Sequence, residues 1–355
     1  MQEAGRFIGR TGGGIASLVL AGAATFALSA SAEAGMLTIA PVFDSSITGN
    51  SNASNIEGAI NTAIGTIDGL YTTGTTPNNV SLTVDFSYNP AAAGNLLSTS
   101  QFFYGYSYSA YQSALAADST ANLSNTNLAT GVAHLFNPGA TMVLAYGQAL
   151  QLANYGLTTP VFAGNAMINI NSNANFDFTR PVPSSQFDAI GGLEHELNEV
   201  LGGGGAGSAL NNFPADRGPT DIYRYSSPGT PSFTTSASAS SYFSIDGGVT
   251  SIVGFNQGAA PPAGCPGGDF GDWAPNGTGA GQRIQNACNN TGQDAAYTTS
   301  SPEYVMETAI GWDPQAVPAP LIGFGLPVFL AMGGLWFGAK LLERGRRSAG
   351  LFDVA

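Results

Sequence analysis

A short acidic segment carries the residues with the clearest capacity for chemistry. His195 and Glu199 are four positions apart, and Glu196 directly follows the histidine. On a helix, residues four apart lie one turn apart on the same face, so an imidazole nitrogen and a carboxylate oxygen can reach one metal ion. Glu196 lies beside them and is free to take a proton from water that the ion has made acidic. The spacing therefore predicts a metal site with His195 and Glu199 as ligands and Glu196 as the general base.

The alternative for these residues is a solvated polar face on an ordinary amphipathic helix. The composition favours the metal site, because residues 35–315 contain only six glutamates and two histidines, and three of those glutamates lie within six residues around His195. Like charges at this spacing destabilise a helix unless a cation offsets them. A glutamate in place of a second histidine still binds zinc, and it admits calcium or manganese more easily. We therefore expect one zinc ion as the cofactor, with calcium as the alternative.

The spacing of apolar residues predicts the elements that position this segment. Apolar residues from Phe187 to Leu201 recur at helical spacing, and the glycines from Gly202 onward end that helix. Before it, the pattern predicts a helix over Ile56–Ile67, a strand over Val80–Tyr88, short helices over Ala110–Ala117 and Met142–Asn154, and an edge strand over Ala166–Asn171. After it, strands are predicted at Ile222–Tyr225 and around Tyr242–Ile245, and a short helix begins near Pro302.

Several of these segments resemble a family of secreted bacterial metalloproteases whose core reads HExxE followed by glycine. His195, Glu196, Glu199 and Gly202 match that core, although Gly203 stands where the family usually has arginine. The resemblance implies a zincin-like fold and hydrolysis of peptide bonds. Further segments that resemble the family are Asp221–Gly229, Tyr242–Val249, Gly268–Trp273 and Ala309–Asp313.

A third metal ligand must come from outside the helix. Gly205 occupies the position of the third histidine in the broader HExxHxxGxxH pattern and has no side chain to offer. Asp221 is the first candidate, because it leads the segment that follows the helix, and Asp272 is the second. Both aspartates are also typical of turns in loops rich in glycine and proline. Tyr223 and Tyr225 are the candidate oxyanion donors.

Both ends of the chain have the pattern of membrane targeting. Residues 1–34 combine Arg6 and Arg10 with an apolar run and an Ala-Glu-Ala cleavage site, which is typical of a signal peptide. Residues 321–339 carry no charge, and the basic tail 340–355 follows, which predicts a transmembrane helix with a cytoplasmic tail rather than a buried core helix. The proline-rich linker 316–320, the apolar run and the tail resemble a PEP-CTERM-type sorting signal, which implies an exosortase-like enzyme as a partner.

The segment between these ends, residues 35–315, is strongly acidic. It holds nineteen acidic residues, four arginines and no lysine, so its net charge is near −15. Nucleic acids and anionic lipids bind to basic patches, so this charge excludes nucleic acid as an expected partner and is compatible with divalent cations. Cys265 and Cys288 predict a disulfide that closes a glycine-rich loop in an oxidising compartment.

These observations lead to one expected organisation. A signal peptide (1–34) precedes an α+β, zincin-like ectodomain (35–315) with a twisted sheet, an active-site helix and a β-rich C-terminal part, and the linker, transmembrane helix and tail follow. The resemblance implies an exported, membrane-anchored zinc endopeptidase that acts on peptides or proteins. The alternative is an inactive surface protein of the same fold with a structural cation or none. The pair His195–Glu196 favours the enzyme, because a protein that only binds metal has no need of Glu196.

Overall fold

The described residues form a mixed α/β structure built around one four-stranded sheet. A computed structural model describes residues 35–74, 78–92, 95–118, 141–210, 212–213, 215–258, 268–275 and 283–315. The α-helices in these ranges are α1 (Ser45–Thr48), α2 (Ala53–Leu70), α3 (Tyr108–Ala117), α4 (Tyr146–Ala153), α5 (Ala189–Leu201) and α6 (Pro302–Ile310). The strands are β1 (Leu37–Phe43), β2 (Tyr71–Thr72), β3 (Val80–Asn89), β4 (Leu97–Ser100), β5 (Phe103–Ser107), β6 (Thr141–Ala145), β7 (Ala166–Asn171), β8 (Phe176–Asp177), β9 (Phe187–Asp188), β10 (Arg224–Ser227), β11 (Thr230–Pro231), β12 (Tyr242–Phe243), β13 (Val253–Gly254) and β14 (Asp313–Pro314).

The main sheet has the strand order β1-β3-β7-β4. β1 pairs in parallel with β3, from Leu37 opposite Val80 to Phe43 opposite Phe86, and β3 pairs in parallel with β7. Parallel neighbours need a crossover connection, and α1 and α2 supply it between β1 and β3. β4 pairs antiparallel with β7 and forms the edge of the sheet. This edge strand brings polar side chains next to the segment that contains His195.

Helix α2 links the main sheet to the helix that carries the acidic segment. Its isoleucines at helical spacing, Ile56, Ile60, Ile64 and Ile67, are all buried. α2 contacts β1 and α5, and α5 also contacts β4. The apolar face of α5, which includes Leu197, is buried in the same core, so its polar face is left for the cavity beside β4.

A second sheet and an aromatic cluster hold the loop that contains Asp272. This sheet has the order β11-β10-β12-β13. Trp273 is completely buried against Phe243 and Phe255. Its indole nitrogen donates to Oε1 of Glu303 on α6 over 2.9 Å, and its backbone nitrogen donates to the carbonyl oxygen of Gln285 over 2.8 Å. These contacts fix the position of the neighbouring Asp272.

Several predicted elements are confirmed and others need correction. The helix over Ile56–Ile67, the strand over Val80–Tyr88 and the helix that begins at Pro302 are present. The helix predicted over Met142–Asn154 is instead strand β6 followed by helix α4, because residues 141–145 pair antiparallel with β5. β7 was predicted as an edge strand, and that is wrong, because β4 covers its free edge.

The predicted fold class, zincin-like α+β with a transmembrane helix, is wrong. The described residues form a mixed α/β structure in which parallel strands are joined through helices. Within these ranges, no helix has both the length and the apolar character needed to cross a bilayer. The described residues thus show no anchor for the predicted membrane-anchored localisation, whose segment 321–339 lies outside these ranges. The predicted signal peptide (1–34) and the predicted linker, span and tail (316–355) lie outside the described residues.

Cys288, one of the two cysteines of the predicted disulfide, is not a free thiol. Its predicted partner Cys265 lies outside the described residues. In the described part of the chain, the loop that the disulfide was expected to hold is fixed by backbone hydrogen bonds between residues 273 and 285–287.

Candidate metal centre

Helix α5 presents the acidic segment with its ends fixed. Asp188 precedes the first turn and accepts hydrogen bonds from Arg180, whose Nη2 lies 2.8 Å from Oδ2 of Asp188 and 3.1 Å from Oε2 of Glu194. Gly202 ends the helix in the left-handed conformation, with φ of 101°, which glycine adopts at little cost. Because Glu194 is paired with Arg180, it is not available to the cluster around His195.

Three side chains from two parts of the chain converge into a possible ligand set. Nε2 of His195 lies 3.6 Å from Oε1 of Glu199 and 3.8 Å from Oδ1 of Asp272. All three ligand atoms lie within 4.8 Å of one another. Zinc binds nitrogen and oxygen ligands at about 2.0–2.2 Å, which places neighbouring ligand atoms in a tetrahedral site a little over 3 Å apart. One imidazole and two carboxylates are a ligand set that zinc accepts once these atoms move closer together.

The hydrogen bond of His195 selects the tautomer that a metal requires. Nδ1 of His195 lies 3.0 Å from the backbone carbonyl oxygen of Ile284, which can only accept a hydrogen bond. Nδ1 therefore carries a hydrogen, so a neutral His195 keeps the lone pair of Nε2 for a metal ion. A backbone carbonyl behind a ligating histidine is a common second partner in metal sites.

Burial of the carboxyl groups makes the centre costly without a cation. Burial raises the pKa of Glu199 to about 8 and the pKa of Asp272 to about 7, and it also raises the pKa of Glu196. Burial alone would lower the pKa of His195, but the surrounding carboxylates of Asp272, Glu199 and Glu196 raise it well above its usual value. A divalent cation would offset this concentration of buried negative charge, since a bound ion is the largest charge in its site.

Glu196 is close to the three ligand candidates without belonging to their set. Its Oε2 accepts a hydrogen bond of 2.6 Å from the hydroxyl of Thr99 on β4, which fixes the carboxylate beside the cluster. Glu196, His195, Glu199 and Asp272 all line one cavity of about 870 Å³. A carboxylate that is held near a metal site and open to its cavity has the position of a general base.

Asp221, the first candidate for the third ligand, is not part of the group that His195 and Glu199 form among the described residues. Its carboxylate accepts hydrogen bonds from the hydroxyl of Ser208 (2.6 Å) and from the backbone nitrogens of Ala209 (2.9 Å) and Gly218 (2.8 Å). These donors use the carboxylate to hold a turn, which is the structural role that aspartate commonly has in such loops. Asp272, the second candidate, lies within reach of His195 and Glu199 instead.

The two tyrosines predicted as oxyanion donors are also not at the centre. Tyr223 is completely buried, and its hydroxyl donates to the backbone carbonyl of Ala309 over 2.6 Å. Tyr225 is buried as well and packs beside Gly248. Neither tyrosine is among the residues that line the cavity at His195.

Three residues of the centre were not found from the sequence. Thr99 orients Glu196, and the side-chain amide of Gln285 contacts His195 and Asp272. Asp269 lies beside Glu199. A carbon atom placed on Gly205 would lie 2.6 Å from a carboxylate oxygen of Asp269 and also 2.6 Å from a carboxylate oxygen of Glu199. β4 has only four residues and a weak sequence pattern, so nothing local points toward Thr99, and nothing in the local pattern around Gln285 indicates a metal site.

The search for similar proteins gives no assignment for this centre. No family model, no curated protein and no solved structure matches the chain. The similarity of its motifs to HExxE metalloproteases therefore stays a prediction.

Proposed function

We propose that the protein is a zinc-dependent hydrolase that cleaves peptide bonds. His195, Glu199 and Asp272 would hold the ion, and Glu196 would act as the general base. The observation that carries the proposal is the convergence of three ligand atoms within 4.8 Å, with a fourth carboxylate held beside them in the same cavity.

The chemistry of the centre divides between the ion and Glu196. When bound, zinc supplies Lewis acidity, which polarises a carbonyl group and makes water acidic near neutral pH. Glu196 takes a proton from the attacking water and passes it to the leaving amine. Thr99 donates to Oε2 of Glu196, so Oε1 is the oxygen left for the proton. The buried surroundings strengthen these interactions, because they exclude water from the charged groups.

Two observations support a peptide as the substrate. In the described part of the chain β4 pairs only with β7, so its outer edge is free to hydrogen-bond to an extended peptide. Leu97, Ser98 and Thr99 of β4 line the cavity that contains His195 and Glu196, so a peptide on this edge would pass the centre. The similarity to metalloproteases in the segments between His195 and Asp313 gives the same substrate class.

Zinc content and peptide cleavage test the proposal together. We expect the purified protein to bind about one zinc ion and to cleave a mixed peptide library, with cleavage lost on chelation and restored by added zinc. Glu196→Gln should keep the zinc and lower kcat by about 10²–10⁴-fold, the contribution typical of a general base. His195→Ala should lose both the zinc and the activity.

A remote variant and the negative outcomes make the test decisive. Glu57→Gln changes the charge by the same amount on α2, away from the centre, and should change neither quantity. Zinc binding without cleavage by the wild type would overturn the enzyme and leave a structural cation. Absence of zinc after loading with excess metal would overturn the metal centre itself.

A further inference from the structure

A continuous chain of hydrogen bonds runs from the core to the candidate ligands. The hydroxyls of Tyr71 and Tyr297 lie 2.7 Å apart, and the hydroxyl of Tyr297 donates to Oδ1 of Asn198 over 2.6 Å. Nδ2 of Asn198 donates to Oε1 of Gln285 over 3.0 Å. Nε2 of Gln285 then lies 2.9 Å from Nε2 of His195 and 2.9 Å from Oδ1 of Asp272.

The direction of this chain follows from its partners at the centre. Oδ1 of Asp272 accepts from Nε2 of Gln285, and Nε2 of a neutral His195 accepts as well, because Nδ1 then carries the hydrogen. With His195 neutral, Gln285 turns its NH₂ group toward both residues. Its Oε1 then accepts from Asn198, whose own oxygen accepts from Tyr297. Each of these amide groups has a partner in this orientation.

The amide nitrogen of Gln285 lies where a cation would bind. The two atoms that it contacts are 3.8 Å apart, and it is 2.9 Å from each, so it sits between them. A cation uses the same lone pairs of Nε2 and Oδ1, so the amide and the ion cannot occupy the centre together. Gln285 is completely buried, and a carbon atom placed on Gly204 would lie only 2.1 Å from its amide nitrogen. The absence of a side chain at Gly204, where φ is 49°, therefore makes room for the amide.

We propose that Gln285 is a placeholder for the metal ion. In the metal-free protein its side-chain amide occupies the space between His195 and Asp272, and a cation enters only by displacing it. This inference rests on the metal centre of the proposed function, but it does not depend on catalysis.

A placeholder gives the centre a threshold for metal binding. Displacing the amide costs the same free energy for every cation. The apparent Kd of each cation therefore rises by the same factor, which is the inverse of the fraction of protein in which the amide has left the centre. Calcium and magnesium, which bind a mixed nitrogen and oxygen site weakly, are then excluded at ordinary concentrations. Zinc binds such a site tightly enough to displace the amide.

The test is the metal affinity of Gln285→Ala in the full chain, measured by competition with a chromophoric chelator. We expect the variant to bind both zinc and manganese more tightly than the wild type, by roughly tenfold or more and by a similar factor for the two ions. The backbone bonds of residue 285 to Trp273 and Glu303 do not involve its side chain, so the loop should keep its place.

Two further variants distinguish a placeholder from a supporting residue. Gln101 donates to the backbone carbonyl of Glu199 over 2.7 Å without touching a ligand atom, so Gln101→Ala should leave the affinity unchanged. Tyr297→Phe removes the donor that orients Asn198, so it should tighten metal binding in the same direction by a smaller factor.

The outcomes separate this inference from the proposed function. Weaker or unchanged binding by Gln285→Ala would overturn the placeholder and would leave the enzyme untouched. Tighter binding by the variant without peptide cleavage by the wild type would support the placeholder and overturn the enzyme. If neither the wild type nor Gln285→Ala binds either ion, both are wrong.

Discussion

Asp272 and Asp221 are both buried aspartates, but their oxygens have different partners. Asp272 faces His195 and Glu199, whereas Asp221 accepts three hydrogen bonds within a turn. Asp272→Asn removes a charged ligand, so we expect it to weaken zinc binding by at least about tenfold, the effect typical of disturbing a metal site. Asp221→Asn should keep its zinc and lose stability by about 1–3 kcal/mol, because it leaves a buried backbone donor without a good acceptor.

Zinc affinity and thermal unfolding of the two variants check this prediction. If Asp221→Asn loses zinc while its unfolding midpoint stays unchanged, the assignment of the third ligand is reversed.

The residues of the centre differ in how far the sequence can predict them. His195, Glu196 and Glu199 lie on one helix, whose geometry is known once the helical pattern is recognised. Asp272 lies in a loop far along the chain, and its position depends on the packing of Trp273 and on Arg224. Local spacing contains no information about which distant loop packs against the helix, so it could not show that Asp272 rather than Asp221 lies beside His195.

At the scale of elements, Arg224 at the start of β10 positions the loop that supplies Asp272. Its guanidinium is buried, donates to the backbone carbonyls of Phe270 and Asn256, and lies 4.5 Å from the ring centre of Phe255. Lysine keeps the charge but cannot bond both carbonyls in the same geometry. We therefore expect Arg224→Lys to weaken zinc binding severalfold and to leave the far-UV circular dichroism unchanged.

Arg217 provides the matched control for this prediction. It also lies over an aromatic ring, that of Phe233, with 4.5 Å to the ring centre, but its described contacts do not include the loop with Asp272. Arg217→Lys should leave zinc affinity as it is. Equal losses in both variants would show that the effect is a general loss of stability.

The elements were predicted correctly where the apolar pattern is long and regular. α2 and β3 have such patterns, with helical spacing over Ile56–Ile67 and strict alternation over Val80–Phe86. The segment Met142–Asn154 is different, because a short apolar strand runs directly into a helix and the two periods cannot be separated. The position of β7 inside the sheet depends on β4, which has only four residues and a weak pattern of its own.

At the scale of the whole molecule, buried acidic groups outside the centre make stability depend on pH. Burial raises the pKa of Asp68 to about 6, and burial together with the charge of Asp118 raises the pKa of Asp313 to about 7. Asp313 is almost completely buried and accepts hydrogen bonds from Tyr155 and Gln151 over 2.7 and 2.9 Å. An unfolded aspartate has a pKa of about 3.9, so between about pH 4 and 7 the folded state binds more protons than the unfolded state.

Stability must then fall as the pH rises through this window. The free energy of unfolding decreases with rising pH wherever the folded state binds more protons than the unfolded state. We expect metal-free protein to be less stable in urea at pH 8 than at pH 5, with Asp313 contributing up to a few kcal/mol at about 1.4 kcal/mol per pKa unit. Asp313→Asn cannot ionise, so it should lose less stability over the same range, whereas Asp294→Asn at an exposed position should follow the wild type. Parallel profiles for the wild type and Asp313→Asn would show that Asp313 ionises without cost in the folded state and would contradict this account of its burial.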